Sequence, residues 1–388
     1  MTAQHIQDLF VQQFSYSPSL LVRSPGRINL IGEHTDYNGG FVLPASIDKE
    51  IWFAISSRTD DLCQIWAANL SAADSFSIHH LRPSLQGWLN YLMGSVEQIL
   101  KKNKEIKGFD LVFGGNIPTG AGLSSSAAVE CGLIFCLNEL FELGFSTLEM
   151  VQMAQQAENE FVGVKCGIMD QFASMFGQQN SVIQLDCRSL TYQYFPFESA
   201  DYQLILCDSG VKHSLGDSEY NVRRQECEAG VKLLQAHYPS ITLLRDVSPA
   251  MLEAHQNEFT EVVYRRCCYV VEEIERVPAA CLDLKQNDLV AFGQKMYETH
   301  DGLQYLYEVS CPELDFLVAQ TRANESVLGA RMMGGGFGGC TINLVRTDAL
   351  DTFVETMSAA YQQQFGIQLV THRVRITQGT SSLTISGS

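Results

Sequence analysis

Basic residues are scarce in this chain of 388 residues: 26 Lys plus Arg stand against 44 Asp plus Glu, a formal charge of −18. With so little to offset phosphate repulsion, nucleic acid and anionic membranes are poor partners. Charged residues of both signs make up only 18%, against 46% apolar, a balance that excludes a disordered chain. Twelve cysteines are present, yet no two stand at C-x-x-C spacing, so neither a zinc pattern nor a compact disulfide framework is written here. The longest apolar run, Ala127 to Leu137, is broken by Glu130 and is too short to cross a bilayer. The opening residues carry no basic, then apolar, export pattern. Free thiols without an export signal lead to the expectation of a cytoplasmic protein.

What is present reads as α+β. The length fits two domains at roughly 100–200 residues each. Ile6, Leu9, Phe10 and Phe14 recur at helical spacing, and residues 20–58 read as strands around a Gly-rich turn. A strand over 109–115 runs into a loop at 116–122, and a mostly buried helix follows over 124–141. Ser146 and Glu149 form a capping box for the next helix. A short apolar helix is expected over 168–176 and strands over 181–195 and 202–208, with helix-rich sequence at 217–236, 249–277 and 285–320. A strand over 340–345 follows the glycine run. The boundary falls in 195–201, dividing the chain into 1–200 and 201–388, and the polar tail from Gln378 is expected to fray.

Several segments carry residues suited to chemistry. Gly120-Ala121-Gly122-Leu123-Ser124-Ser125-Ser126 lies between a strand and a long helix. Glycines admit a close ligand, and a helix N-terminus offers free amides and a positive dipole end, which suits nucleotide phosphates. It is no Walker A loop, since no Gly-Lys-Ser/Thr follows, and a Ser-capped helix after a tight turn would read the same. Gly334, Gly336 and Gly339 match G-x-G-x-x-G, but a strand follows where a dinucleotide fold needs a helix. A tight turn or a close approach to a ligand or loop both explain those glycines. Glu33-His34-Thr35-Asp36 concentrates donors and acceptors suited to a polyol, or forms a solvated turn, and Arg27 nearby is either an anion ligand or a surface charge. Glu158 falls on the apolar stripe of Val151, Ala154 and Phe161, where a carboxylate needs a metal or an ion-pair partner unless it reaches water. Asp170 opens its helix either as a favourable first-turn charge or as a catalytic carboxylate. His79, His80 and His213 lack metal-ligand spacing.

Taken together, these segments resemble one family. Residues 25–38, Pro-Gly-Arg-Ile-Asn-Leu-Ile-Gly-Glu-His-Thr-Asp-Tyr-Asn, resemble the galactokinase signature. Residues 120–127 resemble the phosphate loop shared with homoserine, mevalonate and phosphomevalonate kinases. Residues 331–340, Arg-Met-Met-Gly-Gly-Gly-Phe-Gly-Gly-Cys, match that family's third motif, and residues 166–171 and 218–224 also look like galactokinase segments.

The resemblance implies a two-domain α+β kinase with mixed sheets and an active site in the cleft between domains. The domain over 1–200 would carry the sugar signature and phosphate loop, and that over 201–388 the third motif. It implies MgATP-dependent phosphorylation of D-galactose at the anomeric hydroxyl by a monomer that needs neither nucleic acid nor membrane. Asp170 would act as base or charge stabiliser, with Arg27 beside it. Glu33, His34, Thr35, Asp36, Gly167 and Tyr220 would bind the sugar, and Gly120, Ala121, Gly122, Leu123, Ser124, Ser125 and Ser126 would cradle ATP. Ser126 and Glu158 would hold Mg2+. Relatives acting on N-acetylgalactosamine tend to be apolar at the place of Thr35, and catalytically dead sensors lose part of the Ser-rich loop, which is complete here. Met333 departs from the family, where Thr usually precedes the glycine run.

Overall fold

A computed structural model of the chain describes residues 1–118, 120–197, 199–211 and 216–385, the side chains of 216–218 excepted. The strands are β1 (Leu20–Asn29), β2 (Phe41–Val42), β3 (Pro44–Ser57), β4 (Leu62–Ala67), β5 (Ala72–Ser77), β6 (Phe109–Gly115), β7 (Ser181–Asp186), β8 (Tyr192–Pro196), β9 (Tyr202–Asp208), β10 (Val327–Met332), β11 (Cys340–Arg346), β12 (Val370–Val374) and β13 (Ser381–Leu383). The helices are α1 (Ala3–Phe14), α2 (Gly87–Lys101), α3 (Ser125–Leu140), α4 (Thr147–Gln156), α5 (Met169–Phe176), α6 (Gly216–Gln235), α7 (Pro249–Ala254), α8 (Glu261–Lys285), α9 (Leu289–Asp301), α10 (Pro312–Arg322) and α11 (Leu350–Phe365).

Three sheets organise them. The first runs β13-β1-β3-β6-β4-β5, antiparallel except where β4 pairs parallel with β6. Helices α3 and α5 pack on β1 and β3, with α2 and α4 behind α3. Helix α3 is apolar on every side because it is buried between the sheet and those helices, with Cys131, Ile134 and Leu137 fully covered. Helix α1 packs on β3 and β6 through Ile6 and Phe10. The second sheet, β10-β11-β9-β12, is antiparallel and carries α9, α10 and α11, and β2-β7-β8 form a small third sheet. A shared core of Ile28, Leu30, Leu123, Val277, Met296, Met333 and Ile342 joins the signature segment, the phosphate loop and the second sheet.

The capping box at Ser146 and Glu149 forms as its spacing predicts, with both reciprocal bonds made. Residues 386–388 of the polar tail lie outside the described residues, but the part from Gln378 to Ile385 does not fray as expected. Leu21 pairs with Leu383 and Arg23 with Ser381, so β13 completes the first sheet's edge. Its polar composition misled because the hydroxyls are used internally: Thr380 Oγ1 lies 2.9 Å from Ser24 Oγ, and Thr380 N donates to the Ser174 carbonyl at 2.8 Å. Residues 197–201 link β8 to β9.

Candidate active site

Arg27 stands near the end of β1, 5% exposed, and Asp170 in the first turn of α5. Arg27 Nε donates to Asp170 Oδ1 at 2.7 Å and Nη2 to Oδ2 at 3.0 Å, a two-pronged pair that fixes both planes. Arg27 Nη1 donates to the Gly122 carbonyl, and Leu123 O accepts from Arg27 N at 3.2 Å. Burial works against the Arg27 charge, but Asp170, Glu33 and Asp36 outweigh it and hold the guanidinium protonated. Ser124 precedes α3 in the left-handed region, φ 56°, and makes no cap bond with its side chain. Its hydroxyl donates to Asp170 Oδ2 instead. The first amides of α3 therefore remain available to an anion.

These groups border a cavity of about 480 Å³ lined by Arg27, Glu33, His34, Asp36, Glu158 and Asp170. Gly167, Tyr220, Asn221 and the glycines 334–336 complete its wall. Asp36 is half-buried, and its desolvation, with the Asp170 charge, pushes its pKa up to about 7. Glu33 is shared: its Oε1 accepts from Arg331 Nη2 at 2.9 Å and from the Gly334 amide at 2.8 Å. It thus fastens the third motif to the signature loop while facing the cavity. Gly336 sits at φ +89°, where a Cβ would stand 2.2 Å from the Val309 carbonyl, so both conformation and space require glycine there.

One expectation needs correcting. Thr35 is fully buried and absent from the cavity wall. Its hydroxyl lies 2.6 Å from the Phe41 carbonyl and 3.0 Å from the Gly32 carbonyl, closing the loop rather than facing a ligand. Ala121 and Leu123 likewise turn their side chains into the core, leaving only backbone to serve a phosphate. Met333, the departure from the family motif, is 1% exposed in that same core, with its amide on the Cys340 carbonyl at 3.0 Å. It fills space beneath the phosphate loop and meets no polar demand.

Glu158 lies in a π-helical turn, residues 157–162, that continues α4. It is 7% exposed, and burial together with Asp170 raises its pKa to about 7, while bonds from Ser126, Cys166 and Gln171 pull the other way. Gln171 Nε2 donates to Glu158 Oε2 at 2.8 Å and stands 3.4 Å from Glu130 Oε2. Glu130 is fully buried, its pKa is raised by burial and by Glu158, and its Oε1 has no partner. Ser126 and Glu158 offer the oxygen donors that a hard divalent cation takes, in a pocket of acids short of positive charge, so these residues fit such an ion. Glu130 was missed in the sequence although the signal was there. It alone interrupts the apolar run, four residues after Ser126 and thus on the same helical face.

One further cluster lies elsewhere. His237, His255 and Glu258 bring ligand atoms within 4.8 Å of one another. The two imidazoles stack with centroids 3.8 Å apart and planes 24° apart, so their in-plane lone pairs do not converge on one ion. His213 lies outside the described residues.

Comparison with known proteins places this arrangement. The family model for the GHMP kinases N terminal domain matches residues 90–178, and that for GHMP kinases C terminal matches 280–363. The galactokinase galactose-binding signature matches residues 8–57. A galactokinase from Roseiflexus is 40% identical over 96% of this chain and 95% of its own length. That from Thermotoga maritima is 38% identical over 93% and 99%. The crystal structure of Lactococcus lactis galactokinase complexed with galactose superimposes with a TM-score of 0.94 at 34% identity, covering 98% of this chain and 99% of that one. Methanococcus jannaschii mevalonate kinase shares the fold at a TM-score of 0.64 and 16% identity, over 92% and 98%.

Proposed function

The chain belongs to the galactokinase family and phosphorylates D-galactose with ATP, and we propose that Asp170, paired with Arg27, carries the transfer to the anomeric hydroxyl. The pairing at 2.7 and 3.0 Å is the observation that carries this assignment. Asp170 accepts two bonds from Arg27 and one from Ser124. A carboxylate has about four lone-pair sites, so one remains for the sugar hydroxyl. Those bonds fix the direction in which the remaining lone pair faces the hydroxyl. That suits phosphoryl transfer, whose loose transition state asks more for alignment and charge balance than for a strong nucleophile. The proton of the sugar hydroxyl passes to Asp170 as the hydroxyl oxygen bonds phosphorus, and the bond from phosphorus to the ADP oxygen breaks, its electron pair leaving with ADP. Arg27 holds the Asp170 carboxylate in place and balances charge at the moving phosphoryl.

Around that centre, Glu33, His34, Asp36, Gly167 and Tyr220 hold the sugar, as their places on the cavity wall support. The backbone of Gly120–Ser126 and the α3 amides take the phosphates. The ATP co-substrate calls for a divalent cation. Ser126 and Glu158 would hold it as Mg2+, and that ion supplies charge neutralisation at the phosphate oxygens. The site lies between a part within residues 1–200 and a part within 201–388, the returning strand β13 aside. The protein acts as a cytoplasmic monomer on small molecules. Among the described residues no helix is long and apolar enough to cross a membrane.

ADP release should be followed with MgATP and galactose, N-acetylgalactosamine, glucose or mevalonate in parallel. Turnover on galactose in clear preference to the others is expected. Preferential turnover on N-acetylgalactosamine would keep the chemistry and overturn the sugar assignment. Galactose and ATP bound without turnover would overturn the transfer itself.

A further inference from the structure

Behind the cavity wall runs a buried line of hydroxyls that phosphoryl transfer does not use. His34 Nδ1 lies 2.8 Å from Tyr37 Oη, Tyr37 Oη 2.7 Å from Tyr307 Oη, and Tyr307 Oη 3.3 Å from Cys227 Sγ. Tyr307 is fully buried and Cys227 is 1% exposed. His34 lines the cavity, yet its Nε2 has no partner at hydrogen-bonding geometry. A buried ring nitrogen without a partner is costly unless a ligand meets it.

Burial holds every member neutral: it lowers the His34 pKa to about 4 and raises those of Cys227, Tyr37 and Tyr307. Each hydroxyl then has one proton to give, and the line runs in one of two directions. Either the thiol donates to Tyr307, Tyr307 to Tyr37 and Tyr37 to Nδ1, or every donor reverses and a phenol ends on sulfur. Imidazole nitrogen is a good acceptor and a thiol sulfur a weak one, so the first direction is favoured. The Asn38 amide beside Cys227 already serves the sulfur, which frees the S–H for Tyr307.

We infer that Tyr37, Tyr307 and Cys227 form a positioning relay that fixes His34 as its Nε2–H tautomer, so that the imidazole donates one hydrogen bond to a hydroxyl oxygen of the sugar. This rests on the reading that the cavity takes galactose. Which nitrogen bears the proton is otherwise free to vary, because the two tautomers differ little in isolation. The relay thereby sets what the wall recognises at that point: an oxygen acceptor, in preference to a group with only a hydrogen to offer.

Long-range 15N–1H correlation of the ligand-free protein at neutral pH reads the tautomer directly, with a His34→Gln variant to assign the signal. An Nε2–H pattern is expected, and galactose should shift that nitrogen; an Nδ1–H pattern overturns the relay's direction. Tyr307→Phe keeps the ring against Tyr269, whose centroid is 4.7 Å away, and removes only the hydroxyl. It should mix the two tautomers and raise KM for galactose about tenfold, the scale of one hydrogen bond, with kcat and KM for ATP unchanged. Tyr37→Phe should raise KM for galactose at least as far. Unchanged tautomer and KM in both variants would overturn the positioning role. If the unaltered protein fails to phosphorylate galactose, the substrate reading falls by itself, while the tautomer still decides whether the relay exists.

Discussion

A Cβ at Gly167 would stand 1.8 Å from Asp36 Oδ2 and 2.3 Å from its Cγ. The residue matters because its missing side chain lets the Asp36 carboxylate sit against the backbone at the cavity wall. Gly167→Ala is expected to leave the fold intact, since the clash is with the far end of a side chain, and to raise KM for galactose roughly tenfold by displacing Asp36. Steady-state kinetics beside a melting curve check this, and an unchanged KM would contradict it. Single residues were unevenly legible in the sequence. Glu158 could be read from its place on an apolar stripe, because burying a lone carboxylate demands an explanation. Arg27 and Asp170 could not be paired that way, being 143 residues apart and joined only by the fold. Thr35 looked like a sugar ligand by its company alone, while its hydroxyl closes its own loop.

Between elements, the strongest tie in the site is Arg331. It is wholly buried at the end of β10 and donates to the carbonyls of Leu30, Asn29 and Met332 and to Glu33 Oε1. One side chain thus locks the second sheet to the loop that carries Glu33, His34 and Asp36. Arg331→Met should destabilise the protein by roughly 3 kcal/mol or more, because it strands a buried carboxylate and three carbonyls. A urea titration measures it, and a loss under about 1 kcal/mol would mean the loop is held by other contacts.

The same junction gives a pH dependence. His300, on α9, is 1% exposed, with its Nδ1 accepting the Met332 amide at 3.2 Å and Asp315 3.5 Å from Nε2. Burial, then Arg322 and Arg331, push its pKa down to about 3. Between pH 6.5 and 3 the unfolded chain holds a proton here that the folded chain refuses. Stability from this group is therefore full above pH 6.5 and lost as pH falls, by up to about 1.4 kcal/mol per pH unit. His300→Gln should flatten that slope between pH 6 and 4 in urea midpoints; an unchanged slope would assign it elsewhere. Elements with strong local signals, such as the capped α4 and the apolar α3, were legible in sequence. Strand β13 was not, because the hydroxyl contacts that Thr380 makes with β1 and α5 just before it are announced by no local pattern.

At the scale of the whole molecule, we propose that a chain of charge −18 handles an anionic co-substrate by local means: an arginine, the free amides of one helix and acids that would take a cation. The frame does not choose the substrate, since mevalonate kinase shares it at 16% identity. We assign the choice to the wall residues and the chemistry to Asp170. Asp170→Asn keeps the shape of the site and removes the charge. With a melting curve to confirm the fold and calorimetry to confirm galactose binding, its ADP release under saturating MgATP and galactose is the deciding measurement. A fall in kcat of about 10²–10⁴-fold with galactose still bound is the predicted result. Turnover near that of the unaltered protein would contradict the assignment.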